Sequence, residues 1–135
     1  MKEQIEMVGE FAKAFRIKEA PFPSELDFEK CNLRYNLMKE ENEEYLEAAL
    51  MDNLVGIADA LVDQMYVLLG TIRKHGLEDL FIPMFNEVHR SNMSKLDENG
   101  KPIINGKGIY DPKKPRGKVL KSDLYVKPNL EQILK

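Results

Sequence analysis

The sequence has little of what stabilises a secreted protein. Its 135 residues include one cysteine, Cys31, so no disulfide can form within the chain. Residues 1–16 are mixed in charge and lack the apolar core and cleavage site of a secretory signal. Structural disulfides belong to oxidising compartments. We therefore expect a cytoplasmic protein.

Histidine is also scarce, with only His75 and His89 in the chain. A carboxylate-bridged di-iron bundle generally places Glu-x-x-His pairs on its helices. The residues three positions before the two histidines are Ile72 and Asn86, so the chain has no such pair. Neither histidine falls at metal spacing with the acidic residues, and we interpret both as packed or terminal side chains.

One long hydrophobic run, residues 54–72, raises the question of a membrane span. Asp59, Asp63 and Gln64 lie inside it, and each would be costly in lipid. We therefore expect no membrane partner. The chain has no internal repeat or low-complexity segment, and 43% hydrophobic residues can form a modest core. Its length predicts a single domain over residues 1–135.

The net charge of −3 conceals an asymmetry along the chain. Residues 1–94 carry 10 basic and 18 acidic side chains, whereas residues 95–135 carry 10 basic and 5 acidic ones. Proteins that bind duplex nucleic acid generally present a broad basic surface, which this distribution does not favour. An acidic body followed by a basic tail suits a metal and a phosphate ligand.

Apolar residues recur at helical spacing through the first 94 residues, which predicts an all-α bundle of about four helices. The expected helices run over residues 5–15, from Ser24 or Asp27 to about 50, over 53–75, and from 77 or 78 to 91. Pro83 would bend or restart the last helix and so favours a start near Ile82. From Lys95 the periodicity disappears, except for a short apolar end at 130–134 that could form one helical turn.

The third predicted helix is apolar on every side, so it has no evident solvent face. Either it is the centre of the bundle, or another subunit covers it. Tyr45, Tyr66 and Phe85 are expected in the core. Because so short a chain has few other helices to cover the third one, we expect a homo-oligomer.

Acidic residues are concentrated on the second and third predicted helices. Glu40, Glu41, Glu43 and Glu44 precede a break at residues 52–53, and Asp59 and Asp63 follow it. At about 1.5 Å rise per residue, the two groups reach the same height if the helices fold back antiparallel. Like charges crowded in this way require a cation. The pattern predicts a divalent metal site, although Glu43 is more typical of a solvated face.

Three segments together resemble the all-α NTP pyrophosphohydrolases, which include MazG-like enzymes and phosphoribosyl-ATP pyrophosphohydrolase. They are EENEE at 40–44, DALVDQMYVLLGT at 59–71 and EVHRSNMSK at 87–95, with GKVLK at 117–121 in the tail. The resemblance implies a Mg²⁺-dependent enzyme that cleaves a nucleotide between its α and β phosphates. It also implies a dimer or tetramer.

The resemblance assigns roles residue by residue. Glu41 and Glu44 match metal ligands of the first motif, and Asp63 matches the aspartate of the second. That motif is usually Glu-x-x-Asp, but Ala60 stands three residues before Asp63, so we expect Asp59 to assist. The ligands would hold Mg²⁺, with Mn²⁺ as a substitute.

Further roles follow as hypotheses. Glu40 would accept a proton from the attacking water, and Lys95 would hold a phosphate oxygen, with Arg90 and Asn92 nearby in sequence. Lys118 and Lys121, together with Arg116, would close over a triphosphate. The alternative is a non-enzymatic helical binding module in which the acidic residues form a structural cation site.

Overall fold

The structure is a computed structural model that describes all residues from 1 to 135. It is mostly helical, as predicted, with a single two-stranded sheet. The elements are α1 (Lys2–Ala14), α2 (Phe28–Leu50), α3 (Leu54–Lys74), α4 (Phe81–Met93), β1 (Ile103–Ile104), β2 (Val119–Leu120) and α5 (Leu130–Leu134).

Local side-chain chemistry explains where the central helices begin. Asp27 caps α2 by accepting a hydrogen bond from the Lys30 backbone N–H, and Asn53 caps α3 by accepting one from Gly56. Pro83 is the third residue of α4. It lies in the first turn, where a missing N–H breaks no intrahelical bond, so the start near Ile82 is confirmed.

The tail contains one feature that the sequence pattern did not predict. Strands β1 and β2 pair antiparallel, with Ile103 opposite Leu120 and Ile104 opposite Val119. Two-residue strands are too short to produce a readable alternation, so this sheet leaves no signal in the sequence. The predicted helical turn at residues 130–134 is confirmed as α5.

The chain forms two compact units, Met1–Phe81 and Ile82–Lys135. In the first unit, α3 packs against both α1 and α2. Its core consists of Ile5, Val8, Leu69 and Ile72, with two partly buried side chains packed against them. The prediction of a single domain stays a prediction.

Two arginines join the helices of the first unit, and each occupies the space left by a glycine. Arg73 forms a bidentate ion pair with Glu19, and a Cβ added at Gly9 would lie 2.6 Å from the Arg73 Cζ. Arg34 of α2 contacts α3 at Gly70 in a similar way. A Cβ added at Gly70 would lie 2.8 Å from the Arg34 Nη2. Both glycines therefore permit close approach between helices.

Helix α3 is the helix against which both α1 and α2 pack, yet much of its surface stays uncovered within one chain. Its Val55 is 81% exposed and its Val62 66%. Phe85, predicted to lie in the core, is 61% exposed, and Tyr45 and Tyr66 are also exposed. Tyr66 is exposed because α1 and α2 cover only part of α3. Phe85 lies instead on α4, where only Ser91 is buried, and Tyr45 lies on α2. The alternative in which another subunit covers it stays a prediction.

Helix α3 is also long and apolar enough to cross a membrane, by length and composition alone. The core helix of a soluble protein passes the same test, so a single such helix is weak evidence for a membrane span. Asp59 and Asp63 are within this helix and would be costly in lipid.

The turn after α3 depends on Gly76, which has φ +69° and lies against the Phe22 backbone. We predict that Gly76→Ala destabilises the protein by about 3 kcal/mol, because the new Cβ would lie 2.6 Å from the Phe22 carbonyl carbon. Gly100→Ala is the matched control, since Gly100 has φ +72° but open space around it. It should cost about 1 kcal/mol from φ alone. Urea unfolding measures both, and equal losses would contradict this account.

Candidate active site

Helices α2 and α3 lie antiparallel, as predicted, and three contacts define their alignment. Arg34 donates hydrogen bonds to Thr71 Oγ1 at 3.0 Å and to the Val67 carbonyl oxygen at 2.9 Å. At the other end, Gly56 faces Ala48, and an added Cβ would lie 3.0 Å from the Ala48 Cβ. Between these contacts lies Glu41.

The third contact involves Glu41 itself. Gln64 of α3 donates a hydrogen bond from Nε2 to the Glu41 backbone carbonyl oxygen at 3.3 Å. This holds α3 beside the segment of α2 that carries the acidic residues. Asp63, the neighbour of Gln64 in sequence, is thereby brought close to the Glu41 carboxylate.

The Glu41 side chain has an unfavourable electrostatic environment. Burial is the largest cause that raises the pKa of its carboxyl, followed by the negative charges of Glu44 and Asp63. Glu40 raises it further. The Oε2 atom of Glu41 is buried and has no hydrogen-bond partner. An unpaired buried carboxylate oxygen among like charges is costly unless a cation or a proton compensates it.

This donor set fits a hard divalent cation such as Mg²⁺, which prefers carboxylate oxygens. The fit lies in the chemistry of the donors and in the orphaned Glu41 oxygen. No group of three or more acidic or histidine side chains stands together as a preformed metal cage. Like charges repel one another when no cation lies between them, so a preformed cage is not expected.

The predicted ligands differ in position. Glu41 and Asp63 are partly buried, whereas Glu40, Glu44 and Asp59 are exposed. Asp59 is not among the charges that raise the pKa of Glu41. The structure therefore associates Glu41 with Glu40, Glu44 and Asp63, and the role of Asp59 stays a prediction.

Glu43 behaves as predicted for a solvated face. It is exposed and pairs with Lys39, one turn earlier on α2, at 3.8 Å. Exposed pairs of this kind contribute little to stability. Glu43 therefore has no part in the acidic group around Glu41.

The predicted substrate-binding residues lie in the second unit. Arg90 makes a bidentate ion pair with Glu87 at 2.8 and 2.9 Å, and the Arg90 guanidinium and the Asn129 N–H lower the pKa of Glu87 to about 2. This guanidinium is thus already engaged. Asn92 and Lys118 are exposed and Lys95 is partly buried. Lys121 lies over the ring of Tyr125, 4.5 Å from its centroid.

The histidines have no place in the acidic group. His75 Nδ1 lies 2.8 Å from the Ser24 carbonyl oxygen at the C-terminal end of α3, which agrees with its interpretation as a terminal histidine. His89 is exposed.

Sequence reasoning missed Arg34 and Gln64 as residues that position the site. Arg34 lies seven residues before Glu41, which is about two helical turns and places both on one face of α2. That spacing was readable in the sequence. Its partners, Thr71 and the Val67 carbonyl oxygen, were not, because they depend on the alignment of two helices.

A groove of about 610 Å³ runs between α2 and α3 beside Gln64. Its walls are mostly apolar, and three polar side chains, Lys39, Asn42 and Gln64, also line it. The remaining lining residues are Tyr35, Met38, Leu61, Met65 and Leu68. A concave apolar surface with a few polar groups is typical of a small-molecule site.

The environment of Glu41 generates a stability prediction. Without divalent cations, Glu41→Gln should stabilise the protein by roughly 1 kcal/mol, because it removes an uncompensated buried charge. Saturating Mg²⁺ should raise the unfolding temperature of the wild type and leave that of Glu41→Gln unchanged. The matched control is Glu43→Gln, which should behave as the wild type in both conditions. Thermal unfolding with EDTA or Mg²⁺ measures this, and a Mg²⁺ response in Glu41→Gln would contradict it.

Comparison with known proteins places this arrangement in a family. No curated protein matches the chain. A family model described as phosphoribosyl-ATP pyrophosphohydrolase matches residues 8–92, which include all of α2 and α3 with their acidic residues. The chain therefore belongs to the phosphoribosyl-ATP pyrophosphohydrolase family, within the all-α NTP pyrophosphohydrolases, and is a hydrolase that acts on phosphoanhydride bonds.

Proposed function

We propose that this enzyme hydrolyses a nucleoside triphosphate or a related nucleotide between the α and β phosphates, with Mg²⁺, releasing a monophosphate and pyrophosphate. The observation that carries the proposal is the buried, unpartnered Oε2 of Glu41 among Glu44, Asp63 and Glu40. Membership of a hydrolase family favours this function over the alternative of a non-enzymatic binding module.

Glu41, Glu44 and Asp63 would hold the cation, with Asp59 assisting and Mn²⁺ as a substitute. When bound, the cation neutralises the polyphosphate and makes a bound water more acidic. Glu41 is the central ligand, because the packing of α2 on α3 leaves its oxygen without any other partner.

Glu40 would accept the proton of the attacking water. It is exposed, so a water molecule can reach it, and it precedes Glu41 directly on α2. Its charge contributes to the raised pKa of Glu41, so the two carboxyls are close in space. A carboxylate next to the ligands but outside them is suited to general base catalysis.

The groove between α2 and α3 would receive the nucleoside. Its apolar walls suit a base and a sugar, and the amides of Asn42 and Gln64 offer donors and acceptors for recognition. Phosphoribosyl-ATP, dUTP, dCTP and damaged nucleotides all fit this general chemistry. Asn92, Lys95, Lys118 and Lys121 stay predicted phosphate contacts, whereas Arg90 is held by Glu87.

Pyrophosphate release from a nucleotide panel in the presence of Mg²⁺ tests the activity and identifies the substrate. We expect Glu41→Gln and Asp63→Asn each to lower kcat by roughly 100-fold or more, since each removes charge that positions the cation. Glu43→Gln, which changes an exposed carboxylate that is not among the charges acting on Glu41, should retain full activity. Retained activity in both acidic-site variants would refute the assignment.

We also propose that a second copy of this chain covers the apolar surface of α3. Four apolar side chains around the α2–α3 turn, here called the apolar patch, are each at least 75% exposed: Leu50, Met51, Leu54 and Val55. Large exposed apolar patches mark interaction sites. A protein partner fits better than lipid, because α3 also carries Asp59 and Asp63.

Val55→Lys should weaken this association, because it places a charge in the centre of the patch. We expect the wild type to be a dimer or tetramer by size-exclusion chromatography with light scattering, and the variant to shift toward monomer at the same concentration. Asn99→Lys, at an exposed polar turn, adds the same charge as a control and should not alter the mass. A wild type that is a stable monomer at micromolar concentration would overturn the proposal.

A further inference from the structure

We propose that the loop of residues 105–117, here called the basic loop, is a preorganised binding site for a phosphate chain. The identity of the ligand as a nucleotide triphosphate rests on the proposed function, but the site itself is argued from the loop alone. The loop lies in the second unit and outside the residues that the family model matches.

The two ends of the basic loop are held side by side. It connects β1 to β2, and just beyond their pairing the Asn105 N–H donates to the Lys118 carbonyl oxygen. The Gly117 N–H in turn donates to the Asn105 carbonyl oxygen, both at 2.9 Å. The segment is therefore closed at its base, as in a compact Ω-loop.

The Asn105 side chain fastens the interior of the loop. It is 1% exposed, and its Nδ2 donates to the carbonyl oxygens of Asp111, Lys114 and Pro115 at 2.9 to 3.1 Å. Its Oδ1 accepts from the Asp111 N–H at 2.7 Å. A fully satisfied buried amide makes the loop rigid. A rigid loop loses little conformational entropy when a ligand binds.

The rigid backbone displays a concentration of positive charge. Residues 105–117 contain four basic side chains and one acidic one, Asp111. Only Lys114 has a carboxylate within ion-pair distance, at 3.7 Å from Asp111. Lys107, Lys113 and Arg116 are exposed without such a partner. Fixed like charges repel one another, and a bound polyanion would relieve the repulsion.

A cleft beside Arg116 has the size of a small anion. Gly106, Gly108, Ile109, Tyr110 and Arg116 line about 220 Å³, roughly the volume of seven water molecules. The Arg116 guanidinium lies 4.3 Å from the Tyr110 ring centroid, which holds it at the edge of the cleft. Gly106 and Gly108 have positive φ and no side chains, so backbone also lines the cleft.

The charge of the whole chain favours a compact phosphate chain over a nucleic acid. Residues 1–94 carry 18 acidic and 10 basic side chains, so this part of the chain offers no net positive charge to a long polyanion. The positive charges of the basic loop alone can bind a triphosphate.

Isothermal titration of the full chain with inorganic tripolyphosphate tests the site directly. We expect the variant with Lys107→Ala, Lys113→Ala and Arg116→Ala to bind at least about tenfold more weakly than the wild type. These side chains are exposed, so the variant should fold normally. Lys127→Ala is the control for loss of a cation outside the loop. A triple variant that binds as tightly as the wild type would overturn the proposal.

A second variant tests whether the rigid backbone contributes. Asn105→Ala keeps every cation but removes the four internal hydrogen bonds, so it should also weaken tripolyphosphate binding while the helical circular dichroism stays unchanged. A short single-stranded oligonucleotide serves as the competing ligand. If it binds more tightly than tripolyphosphate at the same ionic strength, the loop is a nucleic-acid site and the proposal is wrong.

Phosphate binding at the basic loop and nucleotide hydrolysis can be tested independently. Glu41→Gln should lose hydrolysis yet bind tripolyphosphate at the loop as the wild type does. If the triple variant raises KM for the nucleotide and leaves kcat unchanged, the bound phosphates are those of the substrate. If KM is unchanged while tripolyphosphate binding falls, the loop binds a separate phosphate ligand.

Discussion

The close packing of α2 against α3 is the constraint on which the candidate active site depends. The two helices approach closely at both ends because glycine faces the neighbouring helix there. Gly56 lies against Ala48, and Gly70 lies against Arg34. Glu41 lies between these contacts, where its Oε2 is buried without a partner. The Glu41 carboxylate lowers the stability of the fold when no cation is bound. The favourable packing of α2 against α3 compensates this unfavourable free energy.

The first unit leaves much of its apolar surface uncovered for a related reason. Its core is small, since only α1 and α2 pack against α3 and few large side chains are fully buried. Helix α3 therefore contributes some of its apolar side chains to the core and leaves others exposed to solvent. We propose a second copy of the chain as the partner that covers the apolar patch.

The second unit is stabilised by a different kind of interaction. The segment after α4 has few regular hydrogen bonds, and its order comes from side chains that bond to the backbone. Asn105 satisfies three carbonyl groups and one N–H, and Glu87 accepts from the Asn129 N–H while it pairs with Arg90. Such a segment can carry several positive charges without a large hydrophobic core, because side-chain hydrogen bonds to the backbone stabilise each turn separately.

The helices of the body, their order and the acidic residues could be predicted from the sequence, because helical periodicity, capping residues and glycine stops are local signals. The sequence also predicted that the acidic residues of α2 and α3 would meet, because a short turn forces neighbouring helices antiparallel. The packing of the folded chain sets the rest: Glu41 is partly buried while Asp59 is exposed, Phe85 lies outside the core, and Asn105 holds a loop together through its hydrogen bonds. Those outcomes depend on helix rotation and on contacts between residues distant in sequence, which no local spacing encodes.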